Sequence, residues 1–160
     1  MNVPRQPEYH EVKETQYLPS NSIESHNIVI IGAGPAGLST SYFLKQQNID
    51  HIVLERGNVG NTWDAERWDG FYLVNPNWAV RLPGFHYVGT EPEGYLSKLE
   101  TIQYLQDYAA HFESPVRTGV EVESLEQLSD GYKLHLGSGE VIEARCVVVA
   151  TGAFGIPKLP

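Results

Sequence analysis

The stretch IVIIGAGPAGLSTSYFL, residues 28–44, decides the fold of this chain. It begins with four apolar residues, which is typical of a strand buried on both faces, and passes through a glycine turn into a helical pattern over residues 36–47. A second apolar run, HIVLE at residues 51–55, follows. A strand (26–31), a tight turn, a helix and a second strand thus follow one another within about 30 residues. This order predicts a βαβ unit with two parallel strands.

The turn GAGPAG has the spacing GxGxxG. Gly32 permits a tight turn off the strand, Gly34 allows the backbone to approach a pyrophosphate, and Gly37 allows the helix to pack closely on the strand. The first N–H groups of the helix can bind phosphate oxygens. Glu55 ends the second strand and can accept hydrogen bonds from ribose hydroxyls, which disfavours a 2′-phosphate there. The pattern therefore predicts a dinucleotide site and leaves FAD and NAD both open.

The remaining residues divide into a tail and one domain. Residues 1–25 carry prolines among polar residues without apolar periodicity, which predicts a mobile tail before a domain of residues 26–160. Residues 57–94 are rich in Trp, Asn, Pro and Gly and are predicted to be a long irregular, functional loop. A helix is predicted from Ser97 or Glu100 to Phe112. The later elements are predicted strands at 116–125, 132–136 and 141–144, which form a meander, and a strand at 147–150 that returns to the parallel sheet.

The composition excludes several classes of partner. The 160 residues include 11 Lys plus Arg against 20 Asp plus Glu, a formal net charge of −9. Nucleic acids and anionic membrane surfaces attract basic patches, so neither is an expected partner, and no apolar run is long enough for a membrane span. Because no signal-peptide pattern is found, a cytoplasmic location is expected.

The cysteine and histidine content limits redox and metal chemistry. Cys146 is the only cysteine, which excludes an intrachain disulfide and a CxxC redox pair. Because it lies in an apolar strand, it is predicted to be a buried free thiol. None of the 6 His has a second ligand at metal spacing, so no metal site is expected.

The order of elements after the βαβ unit distinguishes FAD from NAD. An aromatic loop, one helix, a β-meander and an ATG strand resemble the FAD-binding domain of the glutathione-reductase type. A nicotinamide dehydrogenase would instead continue with alternating helices and parallel strands. The resemblance implies an α/β, Rossmann-like fold, a parallel sheet plus β-meander, with FAD as the cofactor.

Five motifs in order resemble the class B flavoprotein monooxygenases, which include flavin-containing monooxygenases, Baeyer–Villiger monooxygenases and a group of bacterial flavoproteins. They are GAGPAG, the acidic Glu55, Gly60-x-x-Trp63, LPGF at residues 82–85 and ATGxxxxPxxP at residues 150–160. The resemblance implies that NADPH reduces the bound FAD and that O2 then oxygenates a small organic substrate.

The same resemblance implies which residues hold FAD. The implied contacts are the pyrophosphate turn Gly32, Ala33, Gly34, Pro35, Ala36 and Gly37, the ribose end Glu55 and Arg56, the flavin segment Thr62 and Trp63, Val122 at the adenine, and Ala150, Thr151 and Gly152 at the pyrophosphate. Trp63 and Trp68 could instead be packing residues, since tryptophan side chains are large and mostly apolar.

Asn75 and Asn77 are the catalytic candidates, because the family places a polar residue beside the isoalloxazine ring in this segment. The alignment does not choose between them, and both could instead be turn residues around Pro76. The sequence departs from the family pattern at Lys98, where Arg is usual, and at Asn75, where close relatives favour Thr.

The resemblance also sets expectations for the end of the chain. In the family, the fingerprint FxGxxxHxxxW/Y and an NADPH-binding domain follow the ATGxxxxPxxP segment. The chain is therefore expected to be an incomplete, N-terminal FAD-binding portion of an NAD(P)H-dependent flavin monooxygenase, inactive alone. A truncated gene, a split gene with a C-terminal half encoded separately, and a fragment of a longer product all stay open. Exposed apolar residues at 147–150 would favour self-association. The alternatives are the FAD-binding half of a flavin reductase without redox cysteines, and a non-enzymatic nucleotide-binding module.

Overall fold

The computed structural model describes residues 23–152. The elements over that range are β1 (Glu24–Ile31), α1 (Pro35–Gln46), β2 (His51–Glu55), α2 (Asn61–Glu66), β3 (Arg81–Leu82), β4 (Phe85–His86), α3 (Lys98–His111), β5 (Val116–Thr118), β6 (Val122–Leu128), β7 (Gly131–Leu136) and β8 (Val141–Val149), with a 3₁₀ turn at Asn77–Ala79. Residues 1–22 of the predicted tail lie outside the described residues, and β1 begins two residues before its predicted start.

Six strands form one mixed sheet in the order β5–β2–β1–β8–β7–β6. The first four strands in this order are parallel, and β7 and β6 extend the sheet as antiparallel strands. β1 and β2 pair from Ile28 opposite His51 to Ile31 opposite Leu54, so the predicted βαβ unit is confirmed. Because parallel strands end at the same edge of a sheet, the residues that follow β1, β2 and β8 lie close together.

The strand boundaries after α3 differ from the prediction in two places. The predicted strand 116–125 is two strands, because Gly119 has a φ of +71° and turns the chain between β5 and β6. The predicted strands 141–144 and 147–150 are one continuous strand, β8. β8 pairs parallel with β1 from Ile142 to Val149, and its first residues, Val141 to Ala144, also pair antiparallel with β7 on the other side.

β1 is covered on both faces, as its unbroken apolar run predicts. Val29 contributes to a core formed with residues of β2, β7 and β8, and Ile30 contributes to a second core with residues of α1 and α3. Tyr108 of α3 is fully buried in the second core, and its hydroxyl donates to the carbonyl oxygen of Pro83 at 3.0 Å. This burial raises the pKa of Tyr108 to about 12.

The prediction of a buried thiol at Cys146 is wrong, because this side chain is exposed. α1 packs against β1 and β2, whereas β8 lies on the other side of β1. Apolar neighbours in the sequence therefore do not guarantee cover for every residue of β8, and Val149 is also 63% exposed.

The stretch 57–94 is more ordered than predicted. It contains α2, the 3₁₀ turn and the β3–β4 hairpin, while Trp68 is 69% exposed and does not pack in a core. α3 begins at Lys98 because Ser97 and Glu100 form a capping box, in which each side chain bonds the other residue's backbone N–H. Among the helices of the described residues, none is long and apolar enough to cross a membrane.

Candidate cofactor-binding site

The glycine turn joins β1 to α1, and its three glycines have different surroundings. Gly32 has a φ of +105°, and a Cβ there would lie 2.6 Å from the carbonyl oxygen of Ala150. A Cβ at Gly37 would overlap the carbonyl oxygen of Gly32. Gly34 has a φ of −83°, which any residue can adopt, and its Cβ would meet nothing within 4 Å. The protein itself therefore requires glycine at 32 and 37, whereas Gly34 leaves open space.

That space belongs to a cavity of about 370 Å³ at the carboxyl ends of β1, β2 and β8. The predicted residues that line it are Gly32, Gly34, Pro35, Ala36, Glu55, Arg56, Thr62, Trp63, Val122, Ala150, Thr151 and Gly152. Two predicted residues, Ala33 and Gly37, are buried behind the turn and do not line the cavity. α1 begins at this cavity without an acidic residue in its first turn, so no carboxylate there neutralises the positive end of the helix.

Glu55 connects the turn to the segment that follows β2. One of its carboxylate oxygens accepts a hydrogen bond from the N–H of Ala33 at 2.8 Å, and the other accepts one from the N–H of Gly57 at 3.0 Å. A carboxylate has about four acceptor positions, so Glu55 retains acceptor capacity toward the cavity. The residue therefore organises the loop backbone as well as facing the cavity.

α2 forms the wall opposite the turn. The sequence reasoning identified Thr62 and Trp63 but missed four other lining residues of this segment, Gly60, Asn61, Glu66 and Arg67. The guanidinium of Arg67 lies 5.5 Å from the ring centroid of Trp63. Residues four apart lie on the same face of a helix, and this spacing joins Thr62 to Glu66 and Trp63 to Arg67. A helix prediction for this segment would therefore have placed Glu66 and Arg67 beside the two residues that were identified.

Two further contacts complete the walls. The Nη2 of Arg56 donates to Oε1 of Glu66 at 2.8 Å, which joins the end of β2 to α2. Val120 and Glu121, which the prediction missed, line the cavity beside Val122 at the start of the meander. The N–H of Val120 donates to the carbonyl oxygen of Glu55 at 2.9 Å, which places the meander beside β2.

Neither catalytic candidate, Asn75 or Asn77, lines the cavity. Asn77 is 4% exposed, and its Nδ2 donates to the carbonyl oxygen of Glu91 at 2.8 Å. Its backbone N–H donates to the carbonyl oxygen of Gly94, while its Oδ1 has no hydrogen-bond partner among the described residues. Asn75 is exposed. The structure thus assigns Asn77 a role in holding the loop, and a role of either side chain beside a flavin stays a prediction.

Within residues 23–152, no three His, Cys, Asp or Glu side chains are grouped so that they could hold a metal ion. The chain also contains a single cysteine, on β8 and outside the cavity lining. The cavity is lined by backbone groups of the glycine turn, by three glutamates (Glu55, Glu66 and Glu121), two arginines and the ring of Trp63.

Similar proteins include bacterial and plant oxidoreductases. The chain is 39% identical over 135 residues to an uncharacterized CzcO-like oxidoreductase of Geobacillus kaustophilus, a match that covers 84% of this chain and 38% of that protein. It is 34% identical over 138 residues to indole-3-pyruvate monooxygenase YUCCA6 of Arabidopsis thaliana, covering 82% of this chain and 33% of that one. The chain thus spans well under half the length of these relatives.

Solved structures show the same fold. A flavin-containing monooxygenase from Stenotrophomonas maltophilia superimposes with a TM-score of 0.75 and 26% identity, over 86% of this chain and 42% of that one. The α/β fold, a mixed six-stranded sheet with a β-meander, matches the N-terminal FAD domain of flavin monooxygenases over part of their length. The sequence pattern of the family described as "Pyridine nucleotide-disulphide oxidoreductase" matches residues 29–160. The chain belongs to the pyridine nucleotide-disulphide oxidoreductase family.

Proposed function

We propose that this chain is the FAD-binding part of an NAD(P)H-dependent flavin monooxygenase that acts on a small organic substrate. The observation that carries the proposal is the open space in front of Gly34, at the uncapped start of α1. A pyrophosphate in that space would accept hydrogen bonds from the first N–H groups of α1 and would lie at the positive end of the helix.

The other residues of the cavity fit the remaining parts of FAD. Glu55 has free acceptor capacity for ribose hydroxyls, Val122 offers an apolar contact for an adenine, and Trp63 offers a ring for stacking. When bound, FAD would supply the redox chemistry, which is hydride acceptance from NAD(P)H and reaction with O2. The residues of this chain would bind the cofactor, orient it and exclude water from it.

A monooxygenase is favoured over a disulfide reductase of the glutathione type by the lack of paired cysteines after β2. Such a reductase would carry two cysteines soon after Glu55, and the single cysteine of the sequence, Cys146, lies on β8 and does not line the cavity. The similarity to an indole-3-pyruvate monooxygenase supports the same choice. One of Asn75 and Asn77 is proposed as the polar residue beside the flavin ring, on the family resemblance alone, and the substrate itself is left open.

The proposal is tested by titrating FAD into the purified chain and into Gly34→Val, following flavin fluorescence. Wild type should bind FAD, and Gly34→Val should bind it at least about 100-fold more weakly, because the new side chain occupies the space that the pyrophosphate needs. The substitution should leave the fold intact, since the backbone angles at Gly34 are those of extended chain and its Cβ meets no protein atom.

Gly70→Val is the matched control. Gly70 also has room for a Cβ, whose nearest atom would be Cδ1 of Trp68 at 3.9 Å, but it does not line the cavity. This variant should bind FAD like wild type. Equal FAD affinity in wild type and Gly34→Val, or no binding by a folded wild-type chain, would show that the cavity is not an FAD site.

A further inference from the structure

α2 carries much of one cavity wall but has little stability of its own. It has 6 residues, no buried residue and no side-chain cap at its N-terminus. Isolated helices of this length are unstable in water, because nucleation costs more than a few hydrogen bonds return. The position of Thr62, Trp63 and Glu66 in the wall must therefore be maintained by contacts from outside the helix.

α3 provides contacts at both ends of α2. At the first end, a Cβ added to Gly60 would lie 3.2 Å from the side chain of Ile102, and the Nε2 of Gln106 donates to the carbonyl oxygen of Val59 at 3.3 Å. At the second end, the Nζ of Lys98 donates to the carbonyl oxygen of Arg67, the residue that ends α2, at 3.3 Å.

The Nζ of Lys98 has two further partners, both acidic. It donates to Oδ1 of Asp69 at 3.3 Å and lies 3.8 Å from Oδ1 of Asp64. Lys98 is only 8% exposed, whereas both aspartates are largely exposed. An ammonium is rarely buried unless it is paired, so these three oxygen partners account for its position.

The place of Lys98 in its own helix is unfavourable. It is the first residue of α3, where the partial positive charge of the helix disfavours a cation. At the C-terminal end of α2 the partial charge is negative, and a cation is favoured there. The partners that account for the buried ammonium of Lys98 thus come from α2 and the three residues after it, and not from α3.

We propose that Lys98 is a positioning residue, which holds α2 in the arrangement that binds the cofactor although Lys98 does not itself line the cavity. The proposal rests on the FAD site proposed above. Without the ammonium, α2 would occupy its binding arrangement for only a fraction of the time, and the affinity for FAD would fall in proportion to that fraction.

The first measurement is hydrogen exchange without FAD, on wild type, Lys98→Met and Lys98→Arg. Methionine keeps the apolar stem of the side chain and removes the ammonium, whereas arginine retains the charge. The N–H groups of Trp63 and Asp64, which both donate to the carbonyl oxygen of Gly60, should exchange at least about tenfold faster in Lys98→Met. Lys98→Arg should restore most of the protection.

The second measurement is FAD affinity for the same proteins at low salt and at about 1 M NaCl, where the Debye length is about 3 Å. Lys98→Met should bind FAD about tenfold more weakly at both salt concentrations, because the hydrogen bond from the buried ammonium to the carbonyl oxygen of Arg67 is little screened. Lys45→Met is the matched control, because the Nζ of Lys45 also donates to a backbone carbonyl oxygen, that of Glu113, away from the cavity. It should change neither measurement.

The outcomes separate this inference from the proposed function. Unchanged exchange at Trp63 and Asp64 in Lys98→Met would overturn the inference whether or not FAD binds. A loss of affinity that disappears at high salt would also overturn it, since that result indicates long-range attraction of an anionic ligand. Failure of folded wild type to bind FAD would refute the proposed function, while the exchange measurement would still test Lys98.

Discussion

Removal of the Glu55 carboxylate should destabilise the chain even without a cofactor. Its two oxygens bond the N–H groups of Ala33 and Gly57, and Ala33 is only 1% exposed. An unpaired buried N–H costs about 1–3 kcal/mol, and the loss of a second, less buried bond costs about 0.5–1.5 kcal/mol. We therefore expect Glu55→Ala to lower the free energy of unfolding by about 3 kcal/mol. Glu55→Gln retains one acceptor oxygen and should lose about half as much.

The assay is urea unfolding of FAD-free protein followed by circular dichroism, with the free energies extrapolated to water. Glu113→Ala is the control, because Glu113 is another acidic residue whose bonds come from its backbone: its N–H donates to the carbonyl oxygen of Ala110, and its carbonyl oxygen accepts from Lys45. The reasoning would be refuted if Glu55→Ala and wild type unfolded with free energies within about 0.5 kcal/mol of each other, which is the range of ordinary surface substitutions. In that case the carboxylate would be available entirely to a ligand.

Two further predictions concern side chains that bond the segment 57–94, namely Tyr108 of α3, which donates to Pro83, and Asn77, which donates to Glu91. Burial raises the pKa of Tyr108 to about 12 in the folded chain, whereas the pKa of the unfolded chain lies near 10. The stabilisation of the folded state by the neutral phenol is therefore complete below pH 10 and is lost as the pH rises from about 10 to about 12. Wild type should lose about 2 kcal/mol more than Tyr108→Phe over that range in urea titrations, and parallel losses would contradict the burial argument. Asn77→Ala should lower the free energy of unfolding by about 1–2 kcal/mol, because the carbonyl oxygen of Glu91 loses its donor, whereas exposed Asn75→Ala should change it by less than about 0.5 kcal/mol. Thermal melts of the Asn77→Ala and Asn75→Ala variants check this prediction. Equal losses of stability in the two variants would remove the distinction between the two asparagines.

The parts of the fold that could be predicted are those in which short-range geometry decides the structure. The turn from Gly32 to Gly37 is specified by backbone approach, since a side chain at either end would overlap a carbonyl oxygen. The limits of β2 were predicted correctly, because an apolar run ending in an acid marks both burial and the sheet edge. Most of the predicted cofactor residues line one cavity for the same reason, since they follow parallel strands.

The parts that could not be predicted depend on contacts between distant segments. α2 is held by α3, so no pattern within its own six residues indicates a helix. The exposure of Cys146 depends on which strands α1 covers, and its apolar neighbours in the sequence do not contain that information. Asn75 and Asn77 look alike in sequence, and only the bonds of Asn77 to Glu91 and Gly94 separate them.

The continuity of β8 has a consequence for the order of folding. β1 lies at one end of the described range and β8 at the other, yet they pair from Glu24 opposite Ile142 to Ile31 opposite Val149. Contacts between segments so far apart in the chain form slowly, because a long loop must close first. On the ribosome, the glycine turn emerges early, but Ala150, whose carbonyl oxygen adjoins Gly32, emerges only after all the strands of the sheet. The nascent chain therefore cannot complete its cavity until nearly all of the described residues have been synthesised.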